Sequence, residues 1–177
     1  MLEPEFLVLD EPTASLDMSV RARILETLDE LRRDLQLGLL LVSHDIATVR
    51  RVTDRLLVMY RGQIVEGGAT EDIVNRPFHP YTRALMDSAL HPDPSRPPGD
   101  FRLVGEMPSQ SDLPSGCYLA GRCPVEVPAC VESPVDLEER DGRLVRCIRA
   151  SELIGQSSSV DKALREGQDE GGCHHLE

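Results

Sequence analysis

The chain has 177 residues and a formal net charge of −12; 40% of its residues are hydrophobic, 3% are aromatic, and there is no Trp. That length suits one domain plus an appendage, with a core built from Leu, Val, Ile and Ala. The acidic excess argues against a general nucleic-acid or anionic-membrane surface, which needs clustered Lys and Arg.

Basic charge is carried almost wholly by Arg, Lys162 being the only Lys. The N-terminal Met1-Leu2-Glu3-Pro4-Glu5 has neither a basic nor an apolar run, so no signal peptide is expected. The apolar run Leu39 to Val42 is too short to cross a bilayer. Five Cys without an export signal point to a reducing compartment, where thiols bind metals or stay free.

Composition divides the chain into residues 1–90, with clear periodicity; residues 91–150, Pro-rich and holding four of the five Cys; and a Ser-, Gly- and Glu-rich tail at 151–177, expected to be disordered. Within the first zone, Phe6 to Leu9 reads as a buried parallel strand ended by Asp10-Glu11-Pro12. Ser19 is the expected N-cap of a helix whose apolar stripe is Val20, Ile24, Leu28, Leu31 and Leu35, with Gly38 as its stop. Leu39 to Val42 reads as a second buried strand, ended by Ser43-His44-Asp45, with Asp45 capping a short helix over Ile46 to Val52. Leu56 to Tyr60, Arg61-Gly62 and Gln63 to Glu66 read as a hairpin. Two short helices come next, one from Thr70 to before Pro77 and one from about Tyr81 to Leu90.

Alternating strands and helices imply an α/β fold with a parallel sheet, in which ligands bind at the carboxyl ends of the strands. Asp10-Glu11 and Ser43-His44-Asp45 both fall at such ends. A carboxylate there suits Mg²⁺, a hard cation that bridges phosphates, and its neighbour can orient or deprotonate a water. By itself the pair fits equally a strand ending in a solvated acidic turn.

The segment Leu7-Val8-Leu9-Asp10-Glu11-Pro12-Thr13-Ala14-Ser15-Leu16-Asp17 resembles the Walker B and D-loop segment of ABC ATPases. Leu41-Val42-Ser43-His44-Asp45 resembles their switch-histidine loop, and Arg55 to Gly68 their closing hairpin. The resemblance implies the C-terminal part of a P-loop NTPase (ABC-type) nucleotide-binding domain over residues 1–90, followed by a small irregular Cys-rich appendage at 91–150. It implies that Asp10 serves Mg²⁺, that Glu11 is the catalytic carboxylate and that His44 contacts the γ-phosphate of ATP. Ser15 and Asp17 would reach ATP across a dimer of such domains. No Gly-x-x-x-x-Gly-Lys-Ser/Thr and no Leu-Ser-Gly-Gly-Gln occurs in the 177 residues, so these carboxylates alone would hold Mg·ATP weakly. With strands missing beside its two parallel ones, the chain is expected to leave an uncovered apolar face and to be poorly soluble or partly disordered.

His79-Pro80-Tyr81-Thr82-Arg83-Ala84-Leu85 resembles a segment of ATPases from the oligopeptide, dipeptide and nickel importer group, as do Leu113 to Cys117, Gly121 to Pro124, Cys130 and Val145 to Cys147. Cys117, Cys123, Cys130 and Cys147 are separated by five, six and sixteen residues. Four thiolates suit a [4Fe–4S] cluster or a tetrahedral zinc, and free thiols or disulfides are the plain alternative. Resemblance to the importer group favours [4Fe–4S], pinning a segment with almost no hydrophobic core. Cys173 beside His174-His175 reads as tail rather than site.

The resemblance implies an ATP-hydrolysing subunit that energises peptide import at the cytoplasmic face of the cell membrane. Its partners would be two membrane permease subunits, a second ATP-binding subunit (identical or different) and, indirectly, an external peptide-binding protein; no nucleic acid is expected. The alternatives are an ABC ATPase acting on ribosomes or DNA, and a catalytically dead fragment or metal-binding module. Peptide or metal-chelate specificity is not written in this segment.

Overall fold

The computed structural model describes residues 4–14, 16–90, 102–107, 109 and 113–153. Ser15, Lys162, Cys173, His174 and His175 lie outside the described residues, as does nearly all of the expected tail.

The first unit is a two-stranded parallel sheet of β1 (Phe6–Asp10) and β2 (Gly38–Val42), joined by helix α1 (Met18–Asp34) and followed by helix α2 (Ile46–Val52). The cap of α1 differs from expectation: Asp17 accepts from the Ser19 and Val20 amides, and Ser19 lies inside the helix. A carboxylate is the better cap here because it satisfies two free amides and opposes the helix dipole. The helix also ends before Gly38. Gln36 takes the left-handed conformation (φ 51°) and the Leu37 amide bonds back to the Arg32 carbonyl at 3.0 Å, so Gly38 is free to open β2.

The helix turns a different face inward from the expected stripe. Leu25 is buried and Leu28 half-buried, whereas Val20, Leu31 and Leu35 are exposed. Arg21, Leu25, Leu28, Asp29 and Arg32, at spacings of about one turn, form the inner face. The strands are not buried on both sides either. Leu7, Leu9, Leu39 and Leu41 are half-buried, while Phe6, Val8, Leu40 and Val42 are 46–60% exposed on the opposite face. An uncovered apolar face is what the sequence leads one to expect, and nothing among the described residues covers this one.

The second unit is a four-stranded antiparallel sheet in the order β3-β4-β6-β5, from β3 (Arg55–Tyr60), β4 (Gln63–Ala69), β5 (Glu138–Arg140) and β6 (Arg143–Val145). Both hairpins turn on two residues with positive φ, Arg61-Gly62 (48° and 81°) and Asp141-Gly142 (49° and 72°). Such two-residue turns match the strand twist and favour Gly at the second position. Helices α3 (Thr70–Asn75) and α4 (Pro80–Leu90) come after β4, and a single turn α5 (Ala129–Glu132) precedes β5. The main core gathers Ile46, Val49, Val58, Tyr60, Ile73 and Leu119.

The compositional boundary near residue 90 is therefore not a break in the sheet: β6 pairs with β4 through Val145↔Glu66 and Leu144↔Gly67. Leu119, Val145, Ala150 and Leu153 are each at most 3% exposed. The expectation of an irregular segment almost without a core is corrected by these contacts.

A charged knot holds this arrangement. Glu66 is fully buried, and its two oxygens accept from the Phe78 and His79 amides at 2.8 and 2.9 Å. Arg143, also buried, stands 3.8 Å from that carboxylate, stacks 3.3 Å over the Phe78 ring and donates to the Asp72 and Arg76 carbonyls at the end of α3. Gly68 leaves room for its stem: a Cβ there would meet the Arg143 Cγ at 2.8 Å. Burial pushes the Glu66 carboxyl up, opposed by the two amides and the guanidinium. His79 caps α4 by accepting the Tyr81 amide on Nδ1 at 3.1 Å, with Pro80 in the first helical position. Burial pulls its imidazole down to about 3.

Removing one partner of a buried pair is costly because the other is left uncompensated. Arg143→Met is expected to destabilise the chain by about 3–5 kcal/mol, read as the urea midpoint, and Arg143→Met with Glu66→Gln to lose less than Arg143→Met alone. The depressed pKa of His79 contributes stability that is present above about pH 6.5 and lost as pH falls toward 3. The melting temperature should therefore drop across that window, and His79→Gln should flatten the drop while lowering stability near neutrality.

Candidate functional site

The parallel register sets the site. Asp10 lies opposite Val42, and the Glu11 amide continues the ladder by donating to the Val42 carbonyl at 2.9 Å. The two strands thus end together, and the chain leaves both on the same side. Glu11 adopts φ 46°, a conformation rare for a residue with a side chain and frequent at functional turns. That turn carries its carboxylate toward the end of β2. Oε1 accepts from the His44 amide at 3.0 Å and lies 2.7 Å from His44 Nδ1. The contact is open to water, with the His44 side chain 80% exposed and Glu11 36% exposed.

Asp10 is exposed on the same face as Val8, Leu40 and Val42. One accessible carboxylate at a strand end is what a phosphate-bound Mg²⁺ asks of a protein, since this ion keeps waters and takes much of its coordination from its substrate.

Between the strands and α1, the loop from 11 to 17 folds in two overlapping turns, Ala14 amide to Glu11 carbonyl and Leu16 amide to Thr13 carbonyl, both at 3.2 Å. Thr13 is buried within it. Asp17 closes the loop as the cap of α1, and the amide of Val20 with the Ser19 hydroxyl holds its carboxyl below the usual range. Asp17 is committed to this local role while remaining at the surface. Asp45 caps α2 as expected, accepting from the Ala47 and Thr48 amides, and also takes Arg21 Nη1 at 2.8 Å. Burial raises the Asp45 carboxyl, but the Thr48 bonds and the Arg21 guanidinium outweigh it and hold it low.

The four thiols form a second cluster. Cys117, Cys123, Cys130 and Cys147 are all unpaired and all border one small cavity of about 20 Å³, beside His79 and Arg149. The Cys117 amide donates to the Cys130 carbonyl at 2.7 Å, tying two of the turns that bear them. Burial pushes the Cys123 thiol up to about 11 and the Cys147 thiol up to about 12, and the neighbouring cysteines add to both shifts. Among the described residues, no three His, Cys, Asp or Glu side chains converge closely enough to hold one metal ion. The thiols border a common space without meeting at a point, which does not suit a single tetrahedral zinc.

The structure thus brings Glu11 to His44, aligns Asp10 with the end of β2, sets Asp17 at the start of α1 and gathers the four cysteines. Glu66, Arg143 and Arg21 were not singled out by the sequence. A charged residue inside the apolar run Ile64-Val65-Glu66 was the available signal for the first, and Asp141-Gly142 between short strands for the hairpin that delivers the second.

Residues 65–130 match the family model described as the C-terminal region of oligopeptide/dipeptide transporters. A peptide import ATP-binding protein of Brucella ovis is 42% identical over 149 residues, covering 84% of this chain and 47% of that protein. The oligopeptide transport ATP-binding protein OppF of Salmonella typhimurium is 39% identical over 155 residues, covering 86% of this chain and 46% of the relative. The di/tripeptide transport ATP-binding protein DppF of Pseudomonas aeruginosa is 39% identical over 157 residues, with 88% and 48% covered. The chain spans about half the length of the curated relatives it matches.

Proposed function

We propose that the chain, which is similar to the ATP-binding subunits of ABC peptide importers, corresponds to their C-terminal portion and supplies the water-activating side of their nucleotide site. The observation that carries this reading is the contact between Glu11 and His44 at the flush ends of two parallel strands. A carboxylate and an imidazole in one place can handle both ends of a hydrolytic step. Glu11 orients and polarises the attacking water, and His44 donates a hydrogen bond to the γ-phosphate as charge builds on it. Asp10 would hold Mg²⁺, which when bound would supply positive charge to the phosphates. The Ser15 to Asp17 loop faces the second ATP-binding subunit and completes that subunit's site.

Hydrolysis would drive peptide import by opening and closing two such subunits against a pair of membrane permeases, fed by an external peptide-binding protein. No described helix is long and apolar enough to cross a membrane, so attachment at the cytoplasmic face would come from docking to the permeases. The choice of peptide would lie with the permeases and the binding protein.

The four cysteines are the residues to hold a [4Fe–4S] cluster. In such a cluster each thiolate binds a different iron, so the ligands need not converge on a single point. Four free thiols around one cavity are the observation that supports this reading. Bound there, the cluster would tie the turns bearing Cys117, Cys123 and Cys130 to Cys147 just beyond β6, and it is given no part in hydrolysis.

The 177 residues contain no phosphate loop, so the chain alone should show no ATP turnover above background in a phosphate-release assay. In the assembled transporter, Glu11→Gln should reduce hydrolysis by about 100-fold or more while leaving ATP binding intact. Retention of turnover by that variant would remove Glu11 from the proposed role. Anaerobic purification should give a brown protein with broad visible absorption and about four irons per chain. Colourless, iron-free protein after reconstitution with iron and sulfide would dispose of the cluster.

A further inference from the structure

Arg21 stands on the inner face of α1, one turn after the cap Asp17, in a position where an apolar residue would be the ordinary choice. Its guanidinium reaches in two directions. Nη1 donates to Asp45 Oδ2 at 2.8 Å, across 24 residues of sequence, and Nη2 makes a longer contact of 3.5 Å with the Leu16 carbonyl. Its Nε is buried without a partner. Burying that nitrogen unpaired opposes the arrangement, so helix packing by itself does not explain an arginine here.

Asp45 is equally committed. Oδ1 caps α2 through the Ala47 and Thr48 amides, and Oδ2 receives both Arg21 and the Thr48 hydroxyl at 2.8 Å. Both side chains of the ion pair are partly shielded, at 32% and 26% exposed. The next residue toward the N-terminus is His44, whose amide is held by Glu11. One continuous set of bonds therefore runs from the Leu16–Asp17 turn through Arg21 to Asp45, and from there through His44 to Glu11.

We infer that Arg21 is a positioning residue for hydrolysis: it fixes the His44 loop relative to the loop that ends at Asp17, so that the imidazole keeps its place only while that loop keeps its own. The inference rests on the proposed roles of Glu11 and His44. It adds a path by which a second ATP-binding subunit pressing on Leu16 and Asp17 alters the geometry of His44 within this chain. Arg21 is assigned its role through Asp45 and Leu16, not through contact with the nucleotide. Lys can reach Asp45 with its charge but cannot span Asp45 and Leu16 together.

The test is a double-mutant cycle in the assembled transporter. Asp45→Asn keeps the oxygen that caps α2 and removes the charge that meets Arg21. Arg21→Gln and Asp45→Asn are each expected to lower kcat for ATP about tenfold with KM for ATP changed less than about twofold, and the double variant to fall no further. Arg21→Lys, which keeps the charge but not the span, should lose kcat nearly as far as Arg21→Gln, and thermal melts of all variants should stay close to wild type. Unchanged kcat in Arg21→Gln, additive losses in the double variant, or losses that track the melting temperature would overturn the inference. If Arg21→Gln does not fold, Arg21→Lys and Asp45→Asn carry the cycle by the same criteria. Wild-type turnover in Glu11→Gln would overturn the site reading and this inference with it. Loss in Glu11→Gln beside normal Arg21→Gln would overturn the inference alone.

Discussion

One parallel register governs the first unit. With Asp10 opposite Val42 and the Glu11 amide closing the ladder on the Val42 carbonyl, both strands terminate at the same height. A slip of one residue in either strand would turn that strand's side chains to the other face of the sheet. It would carry Leu9 or Leu41 away from the helices and move Glu11 out of reach of His44. The positive φ of Glu11 is a consequence of the same constraint: the chain must leave β1 at once, and its side chain must still reach across to β2. Helix caps then set the two helices, Asp17 starting α1 and Asp45 starting α2. Each loop that bears a candidate residue is thus held at both ends, by a strand before it and a capped helix after it.

The second unit depends on a different kind of interaction. Glu66 sits in the middle of β4, where a charge has no access to water, and the fold surrounds it with two amides and Arg143. Those partners come from the stretch before α4 and from β6, which lie 12 and 77 residues away in sequence. Satisfying one carboxylate therefore fixes the position of the His79 segment and of β6. The cysteine cavity is built on those elements, with His79 and Pro80 on one wall and Cys147 just beyond β6. The thiols are gathered by the protein fold itself, through buried groups such as Leu119 and Val145, and a bound cluster would add to an arrangement already specified.

Much of this was legible from local signals. The α/β pattern, the Arg61-Gly62 hairpin, the span of α2 and its Asp45 cap arise from periodicity and turn chemistry, which act within a few residues. Leu7 to Asp17 and Leu41 to Asp45 marked the candidate site through their resemblance to ABC ATPase segments, since acids at a strand end, taken alone, fit a solvated turn equally well. The features hidden from the sequence are those set at long range. The choice of Asp17 over Ser19 depends on which side chain reaches two amides in the folded turn. The inner face of α1 is built around Leu25 and flanked by Arg21 and Arg32, so a stripe read from apolar residues alone came out rotated. The pairing of β6 with β4 joins residues almost eighty positions apart, and composition, which changes near residue 90, gave the opposite impression.

The two units differ in how completely they are covered, and this bears on function. The β3-to-β6 sheet has a packed core and a satisfied buried ion pair. The β1–β2 pair presents Phe6, Val8, Leu40 and Val42 to water on one face, and Asp10 stands on that same face. Two strands with one open side are marginal on their own, and an apolar face of that kind is stable only against another surface. The candidate catalytic groups therefore sit on the less supported unit, at its open end. Their final geometry must be completed by whatever packs on that face, because the rotamers of Asp10 and His44 have few contacts of their own here. With the candidate hydrolytic residues on an incompletely covered sheet, their proposed alignment would be conditional on assembly, and Arg21, bridging the Leu16 turn to Asp45 from the covered side, is the element that would pass such a change from one loop to the other.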